Sequence, residues 1–130
     1  MKTIAKTIQT QKRCELIDIT AEVANAVTTL GLTDGTVTVF CPHTTAGVTI
    51  NENADPDVAD DLLAGLERIA PPRADYAHAE GNSDAHIKAT LVGPSLTVLV
   101  ADGRCLLGTW QGIYFCEFDG PRTRKLFIQP

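Results

Sequence analysis

Apolar and polar residues alternate along many short segments of this chain, a pattern typical of β-strands with one buried face. Asp-Gly signals at 102–103 and 119–120 mark turns between the later segments. The pattern predicts strands over residues 3–11, 13–19, 36–41, 44–51, 96–101, 104–109, 112–118 and 122–129. Strands that follow one another after short turns favour antiparallel pairing.

Two other segments repeat apolar residues at helical spacing. The first follows Thr20, a candidate N-cap, and stops at Gly31. The second begins at Asp55, which is suited to an N-cap, with Pro56 in the first helical position, and it ends before Pro71. Two helices are therefore predicted among the strands.

A third helix is predicted over about residues 84–91, with a strand over 85–92 as the alternative. The length of 130 residues is that of one ordinary domain. The chain is thus predicted to form a single α+β domain over residues 1–130, mostly an antiparallel β-sheet sandwich with two or three helices.

Charge, hydropathy and cysteine content limit the kinds of partner and cellular compartment that suit this chain. The net charge of −5 argues against a nucleic-acid partner, which requires a concentrated basic surface. No apolar run approaches the ~18 residues of a membrane span. The amino-terminal segment has no apolar core of a secretory signal, and the four cysteines form no CxxC pair. These features predict a reduced, cytoplasmic protein. They leave room for a small phosphorylated ligand.

The chain has three histidines, and all of them lie in polar segments. They are His43, His78 and His86. Zinc commonly takes three protein ligands and keeps a fourth position for water or substrate, so these residues fit a three-histidine site. The alternative is that they are surface or hydrogen-bonded histidines, since no HExxH spacing is present.

Amides and carboxylates crowd residues 51–57, directly after a predicted strand. Capping of the following helix explains Asp55 and Asp57. Glu52 is less easily explained in that way, and it is a candidate general base or a group that orients a histidine. Capping alone is the alternative interpretation of the segment.

Two arginines occupy alternate positions in the last predicted strand, in line with apolar residues 126 and 128. An arginine placed there is costly unless it meets a carboxylate or an anionic ligand. Arg122 and Arg124 are therefore predicted to bind an anionic substrate. The alternatives are a structural pair with Asp119 and a salt bridge between subunits.

A lone tryptophan lies between glycines in the segment GTWQG, residues 108–112. Glycine leaves space where a ligand or another backbone approaches. Trp110 is predicted to line a pocket, to stack on a heteroaromatic ring or to fill a subunit interface.

Five blocks taken together resemble one known family. They are HTTA at 43–46, NENADPDV at 51–58, EGNSDAHIK at 80–88, LGTWQ at 107–111 and DGPRTR at 119–124. In this order they strongly resemble the YjbQ family, also called the UPF0047 or secondary thiamine-phosphate synthase family. The resemblance runs from about residue 13 to 128.

The resemblance implies a YjbQ-like α+β fold and a homotrimer. It implies a divalent metal ion, zinc, held by histidines at the positions of His43, His78 and His86. It also implies a weak thiamine-phosphate synthase activity, a transferase reaction in which a pyrimidine diphosphate and a thiazole phosphate join with loss of pyrophosphate.

The expected function is that of a metal-dependent enzyme acting on a small phosphorylated metabolite, with Glu52 as the catalytic residue. The alternative is a non-catalytic trimeric protein that binds a metal or a phosphometabolite. The residues predicted to bind the substrate are Asn82, Trp110, Gln111, Arg122 and Arg124.

Overall fold

The computed structural model describes residues 2–130 of the chain. Eight strands and three helices follow one another within these residues. Their bounds are β1 Ile4–Gln9, β2 Glu15–Asp18, α1 Thr20–Leu30, β3 Gly35–Phe40, β4 Ala46–Glu52, α2 Pro56–Ile69, α3 Ser83–Val92, β5 Ser95–Ala101, β6 Arg104–Cys105, β7 Gln111–Glu117 and β8 Thr123–Gln129.

The strands form two sheets. The larger sheet has five strands in the order β1-β8-β3-β5-β6, and the smaller has three in the order β2-β7-β4. All pairings described between these strands are antiparallel. The predicted α+β sandwich of antiparallel sheet with three helices is therefore confirmed.

Strand β7 is the centre of the molecule, because both of its faces are buried. Ile113 and Phe115 point into the core between the two sheets, which also receives one side of α1. Tyr114 and Cys116 point the other way, into a second core beneath α2 and α3. The larger sheet, the smaller sheet and the α2–α3 layer are thus stacked in that order.

The helix ends show which local predictions hold. Asp55 caps α2 as predicted, its carboxylate accepting the backbone N–H of Asp57 at 2.9 Å. Thr20 is the first residue of α1 and not its N-cap, which is Ile19. Asp18 causes this difference, because its carboxylate accepts both the backbone N–H and the hydroxyl of Thr20, at 2.9 and 2.6 Å.

The segment around residue 85 is helical, so the alternative of a strand over 85–92 is wrong. The return strand predicted over 104–109 is much shorter, because β6 contains only Arg104 and Cys105. The backbone turns immediately afterwards, where the N–H of Leu107 bonds to the carbonyl of Cys105 at 3.1 Å. The alternation of apolar and polar residues in the sequence continues through this turn and therefore did not predict it.

Candidate functional site

A polar cavity of about 500 Å³ opens at one end of the sandwich, where β4 begins and β7 ends. Its wall includes residues from the turn before β4, the loop before α3, the first turns of α3 and the turn between β7 and β8. The lining residues are Thr44, Thr45, His78, Glu80, Asn82, His86, Asp119 and Arg122. The cavity therefore combines a cation, two imidazoles and hydroxyl groups, which suit an anionic ligand, with two carboxylates, Glu80 and Asp119.

Asp119 holds two of the predicted substrate-binding residues in place. Its Oδ2 accepts the Nδ2–H of Asn82 at 2.9 Å and Nη2–H of Arg122 at 3.0 Å. The Nε–H of Arg122 donates to the Asp119 carbonyl at 2.9 Å. The predicted structural pairing of an arginine with Asp119 is confirmed for Arg122. The guanidinium nonetheless lines the cavity and stays half-exposed.

Asn82 leaves one polar atom without a partner. Its Oδ1 is buried and accepts no hydrogen bond from any of residues 2–130. Asn82 occupies the N-cap position of α3, but its side chain turns to Asp119 and makes no cap hydrogen bond. Because a buried acceptor without a donor is costly, the atom is suited to a donor on a bound ligand.

Two of the three histidines are neighbours. The rings of His78 and His86 lie 5.4 Å apart between centroids and almost perpendicular. His78 Nε2 is 3.9 Å from a carboxylate oxygen of Glu80. Both rings line the cavity, so they are available for proton transfer to a ligand bound there.

His43 lies apart from this pair. It lines an adjoining depression of about 300 Å³ together with His86. Its Nε2 accepts the backbone N–H of Lys125 at 2.9 Å, so this nitrogen is already engaged. Burial, followed by the positive charge of Arg124, lowers the pKa of His43. Both effects favour the neutral ring, in agreement with Nε2 acting as a hydrogen-bond acceptor.

The predicted three-histidine metal set is not assembled within the part of this chain that the structure describes. Across residues 2–130, no group of three histidine, cysteine or acidic side chains is placed to hold a metal ion. His78 and His86 supply two neighbouring imidazoles, but His43, whose Nε2 accepts the N–H of Lys125, does not complete a group of three. A zinc ion held by all three histidines stays a prediction, and these side-chain positions do not fit it.

Glu52 and its neighbours occupy the opposite end of the smaller sheet. Glu52 ends β4 and pairs with Gln111, the first residue of β7. Seven residues of β4 at about 3.3 Å each place Glu52 roughly 20 Å from the cavity. Glu52 was predicted to orient a histidine or to act as a general base, but β4 places it at the end of the strand that lies away from the histidines. Glu52 of the same chain therefore cannot be the base for a ligand in this cavity.

The segment around the tryptophan lies at the same distant end. Trp110 is 62% exposed, and its carbonyl accepts the N–H of Asn53 at 3.0 Å. Gln111 uses its side-chain oxygen to accept the N–H of Gly108 at 2.8 Å, which closes a local turn. Neither Trp110 nor Gln111 lines the cavity, so their predicted role in binding would require a second subunit.

Arg124 is buried, unlike Arg122. Its side chain is 3% exposed and forms an ion pair with Glu117, which is fully buried. It also donates to the hydroxyl of Thr45 at 2.9 Å. The prediction that an arginine on this face needs a carboxylate or an anion is thus met by a carboxylate. Arg124 supports the cavity from below and does not line it.

Several lining residues were not singled out from the sequence. Thr44, Thr45 and Glu80 belong to the two histidine-containing blocks, and Asp119 was predicted only as a partner for an arginine.

Cys41 lies close to His43 in sequence, but burial raises the pKa of its thiol to about 11. A thiolate nucleophile at Cys41 is therefore disfavoured at neutral pH.

Comparison with known proteins identifies the family. The family model described as UPF0047 protein YjbQ-like matches residues 5–130. A UPF0047 protein of Methanocaldococcus jannaschii is 52% identical over 122 residues, covering 94% of this chain and 88% of the relative. The UPF0047 protein YugU of Bacillus subtilis is 54% identical over 123 residues, covering 94% and 93%. The chain belongs to the YjbQ/UPF0047 family.

Solved structures share the fold. A YjbQ/UPF0047 family protein of Clostridium acetobutylicum superposes with a TM-score of 0.95 at 55% identity, covering 97% of this chain and 98% of that one. A hypothetical protein of Aeropyrum pernix K1 superposes with a TM-score of 0.94 at 36% identity, covering 99% and 97%. The arrangement of two sheets and three helices is therefore that of the family. In the described part of the chain, no helix has the length and apolar character needed to cross a membrane.

Proposed function

We propose that this protein binds a small phosphorylated metabolite in the polar cavity and acts on it as an enzyme. The observation that carries the proposal is the convergence of Arg122, His78 and His86 on one cavity of about 500 Å³. Arginine offers a planar fork that matches phosphate oxygens. A cavity of this size accommodates a small metabolite.

The chemical roles follow from the groups present. Arg122 would bind the phosphate, and the buried Oδ1 of Asn82 would accept a hydrogen bond from the ligand. His78 or His86 would donate a proton to the leaving group as its bond breaks. A divalent metal ion such as zinc remains part of the expectation from family resemblance, but the proposed roles rest on the side chains themselves.

The candidate reaction is the one that the resemblance implies: joining a pyrimidine diphosphate to a thiazole phosphate with loss of pyrophosphate. Both substrates and the leaving group carry phosphate, in agreement with a cavity that contains Arg122. Formation of thiamine phosphate from these two substrates, by the wild type and by His86→Gln, tests this reaction. Equal rates for the two proteins would exclude His86 from the chemistry.

Titration with inorganic pyrophosphate tests the binding site itself. We expect Arg122→Met to weaken binding at least about tenfold, because a charge-assisted contact to phosphate is lost. Arg104→Met is the matched control, since Arg104 is also exposed but is the first residue of β6, in the larger sheet, and does not line the cavity. Absence of binding by the wild-type protein, or equal losses in the two variants, would refute the proposed site.

One observation favours the alternative of a non-catalytic protein that binds a metal or a phosphometabolite. The predicted base, Glu52, lies at the far end of β4, so one subunit lacks that group beside the ligand. Pyrophosphate binding without turnover of any phosphorylated substrate, at every metal loading, would support this alternative. Metal analysis of the purified protein tests whether the protein contains zinc.

We also propose a homotrimer in the cytoplasm. The outer face of the larger sheet is not covered by a helix of the described chain, and it exposes 42% of Phe40 and 56% of Leu99. Large apolar side chains on an uncovered sheet face are suited to a subunit interface. All four cysteines are free, in agreement with a reducing compartment. Analytical ultracentrifugation tests the trimer, and Phe40→Glu is expected to dissociate it.

A further inference from the structure

A group of buried polar residues lies beneath the cavity. These residues form hydrogen bonds to residues of the cavity wall but do not line the cavity themselves. Glu117 is the last residue of β7, and Arg124 lies in β8, so their ion pair joins the two sheets. Their side chains are 0% and 3% exposed. Thr10, directly after β1, is buried beside them and donates its hydroxyl hydrogen to Glu117 Oε1 at 2.8 Å.

The carboxylate of Glu117 collects hydrogen bonds from several parts of the chain. Its Oε2 accepts the backbone N–H groups of Phe118 and Asp119, both at 3.0 Å. Oε1 accepts the Nε–H of Arg124 at 2.8 Å, and Oε2 accepts a further N–H of the same guanidinium. Burial acts to raise the pKa of Glu117, but the bonds from Arg124, Asp119 and Thr10 outweigh it and lower the pKa.

These bonds lead directly to the cavity wall. Asp119, oriented through its backbone N–H, holds the side chains of Asn82 and Arg122. Thr10 holds the backbone of Arg122 on both sides, accepting its N–H at 2.8 Å and donating its own N–H to the Arg122 carbonyl at 3.0 Å. Arg124 fixes the hydroxyl of Thr45. Glu117, Thr10 and Arg124 thus hold four of the eight lining residues, directly or through Asp119: Thr45, Asn82, Asp119 and Arg122.

We infer that Glu117 is a positioning residue for the anion-binding wall of the cavity, acting through Asp119, Thr10 and Arg124. The inference rests on the proposed function, in which Arg122 and Asn82 contact a phosphorylated ligand. A fold does not need such a pair for stability, since apolar residues of similar volume often replace a buried ion pair without loss. Preorganised donors, in contrast, lose binding strength when they are misplaced by about 1 Å.

The double substitution Glu117→Met/Arg124→Met separates positioning from stability, because it removes both charges and keeps similar volumes. We expect a folded protein whose affinity for inorganic pyrophosphate, measured by calorimetry, falls at least about tenfold. Thr20→Val is the control. It removes a hydrogen bond to the N–H of Ile113, near the opposite end of β7, and it should leave pyrophosphate affinity unchanged. Wild-type affinity in the folded double variant would overturn the inference.

A second readout needs no ligand. In the wild type, NMR relaxation should show the Arg122 Nε–H and the Asn82 side-chain amide to be as rigid as the backbone, and both should become mobile in the double variant. If the wild type binds no pyrophosphate, the proposed function fails, and unchanged rigidity of these groups would then overturn the positioning role independently. If the double variant does not fold, Thr10→Val serves instead, with the same two readouts and the same refuting results.

Discussion

Removal of the Asp84 charge is the most direct test of the buried electrostatics around α3. Asp84 is completely buried, and its carboxylate accepts two hydrogen bonds from Arg13 at 3.0 and 3.1 Å. Lys88, which is 1% exposed, places its ammonium 3.7 Å from the same carboxylate and 3.3 Å from Glu67. Asp84→Asn preserves the shape of the side chain and leaves Lys88 with one carboxylate.

The structure sets the expected magnitude. Removing one partner of a buried ion pair costs about 3–5 kcal/mol, because the other charge stays buried without compensation. Arg13 is 41% exposed and Lys88 keeps Glu67, so the loss should lie near the lower limit, about 3 kcal/mol. For a domain of this size such a loss lowers the melting temperature by roughly 10–15 °C.

Urea unfolding at pH 7 measures the change in the free energy of unfolding. Asp60→Asn is the control, because Asp60 is exposed on α2 and should change stability by less than about 0.5 kcal/mol. The double substitution Asp84→Leu/Lys88→Met should cost less than Asp84→Asn alone, since no buried charge is left unpaired. A loss below about 1 kcal/mol for Asp84→Asn would refute this account of the cluster.

The difference in stability between the wild type and Asp84→Asn should also depend on pH. Burial acts to raise the pKa of Asp84, but hydrogen bonds from Arg13 outweigh it, so the folded-state pKa is lowered. The stabilisation is therefore present above the unfolded pKa of about 4 and is lost as the pH falls through the folded value. The stability difference between wild type and Asp84→Asn should be constant from about pH 5 to 8 and should shrink below about pH 4. A constant difference down to pH 2 would contradict it.

Three further substitutions test local features by urea unfolding. Gly120→Ala should destabilise the protein by about 1–3 kcal/mol, because its Cβ would lie 2.3 Å from the carbonyl of Lys12; no loss would mean that this backbone shifts freely. Gly65→Ala should stabilise α2 by up to about 1 kcal/mol, since a Cβ there meets nothing within 4 Å. Asp55→Ala should cost about 1 kcal/mol through loss of the N-cap, and an unchanged midpoint would argue against that cap.

Local sequence patterns predicted most of the fold. Alternation located most of the strands to within two residues, because one face of each strand is buried and the other is not. Asp55 and Pro56 predicted the start of α2, since capping depends only on neighbouring residues. The exceptions were positions where a short-range hydrogen bond overrode the pattern. Asp18 accepts the backbone N–H and the hydroxyl of Thr20, and a turn at Leu107 ends β6 after Cys105.

In the candidate site, too, some features were determined by the sequence alone and others only by the tertiary structure. The chain itself determined which chemical groups are available: three histidines, two arginines near the C-terminus and a polar segment after β4. Only tertiary structure decided which of them meet. Pairing of β4 with β7 placed Glu52 beside Gln111, far from the cavity, whereas Arg122 came to Asp119 and Asn82. The buried pair of Glu117 and Arg124 arises where the two sheets face each other. The sequence predicted that Arg124 needs a carboxylate or an anion, but only the facing of the sheets decided that Glu117 is that carboxylate.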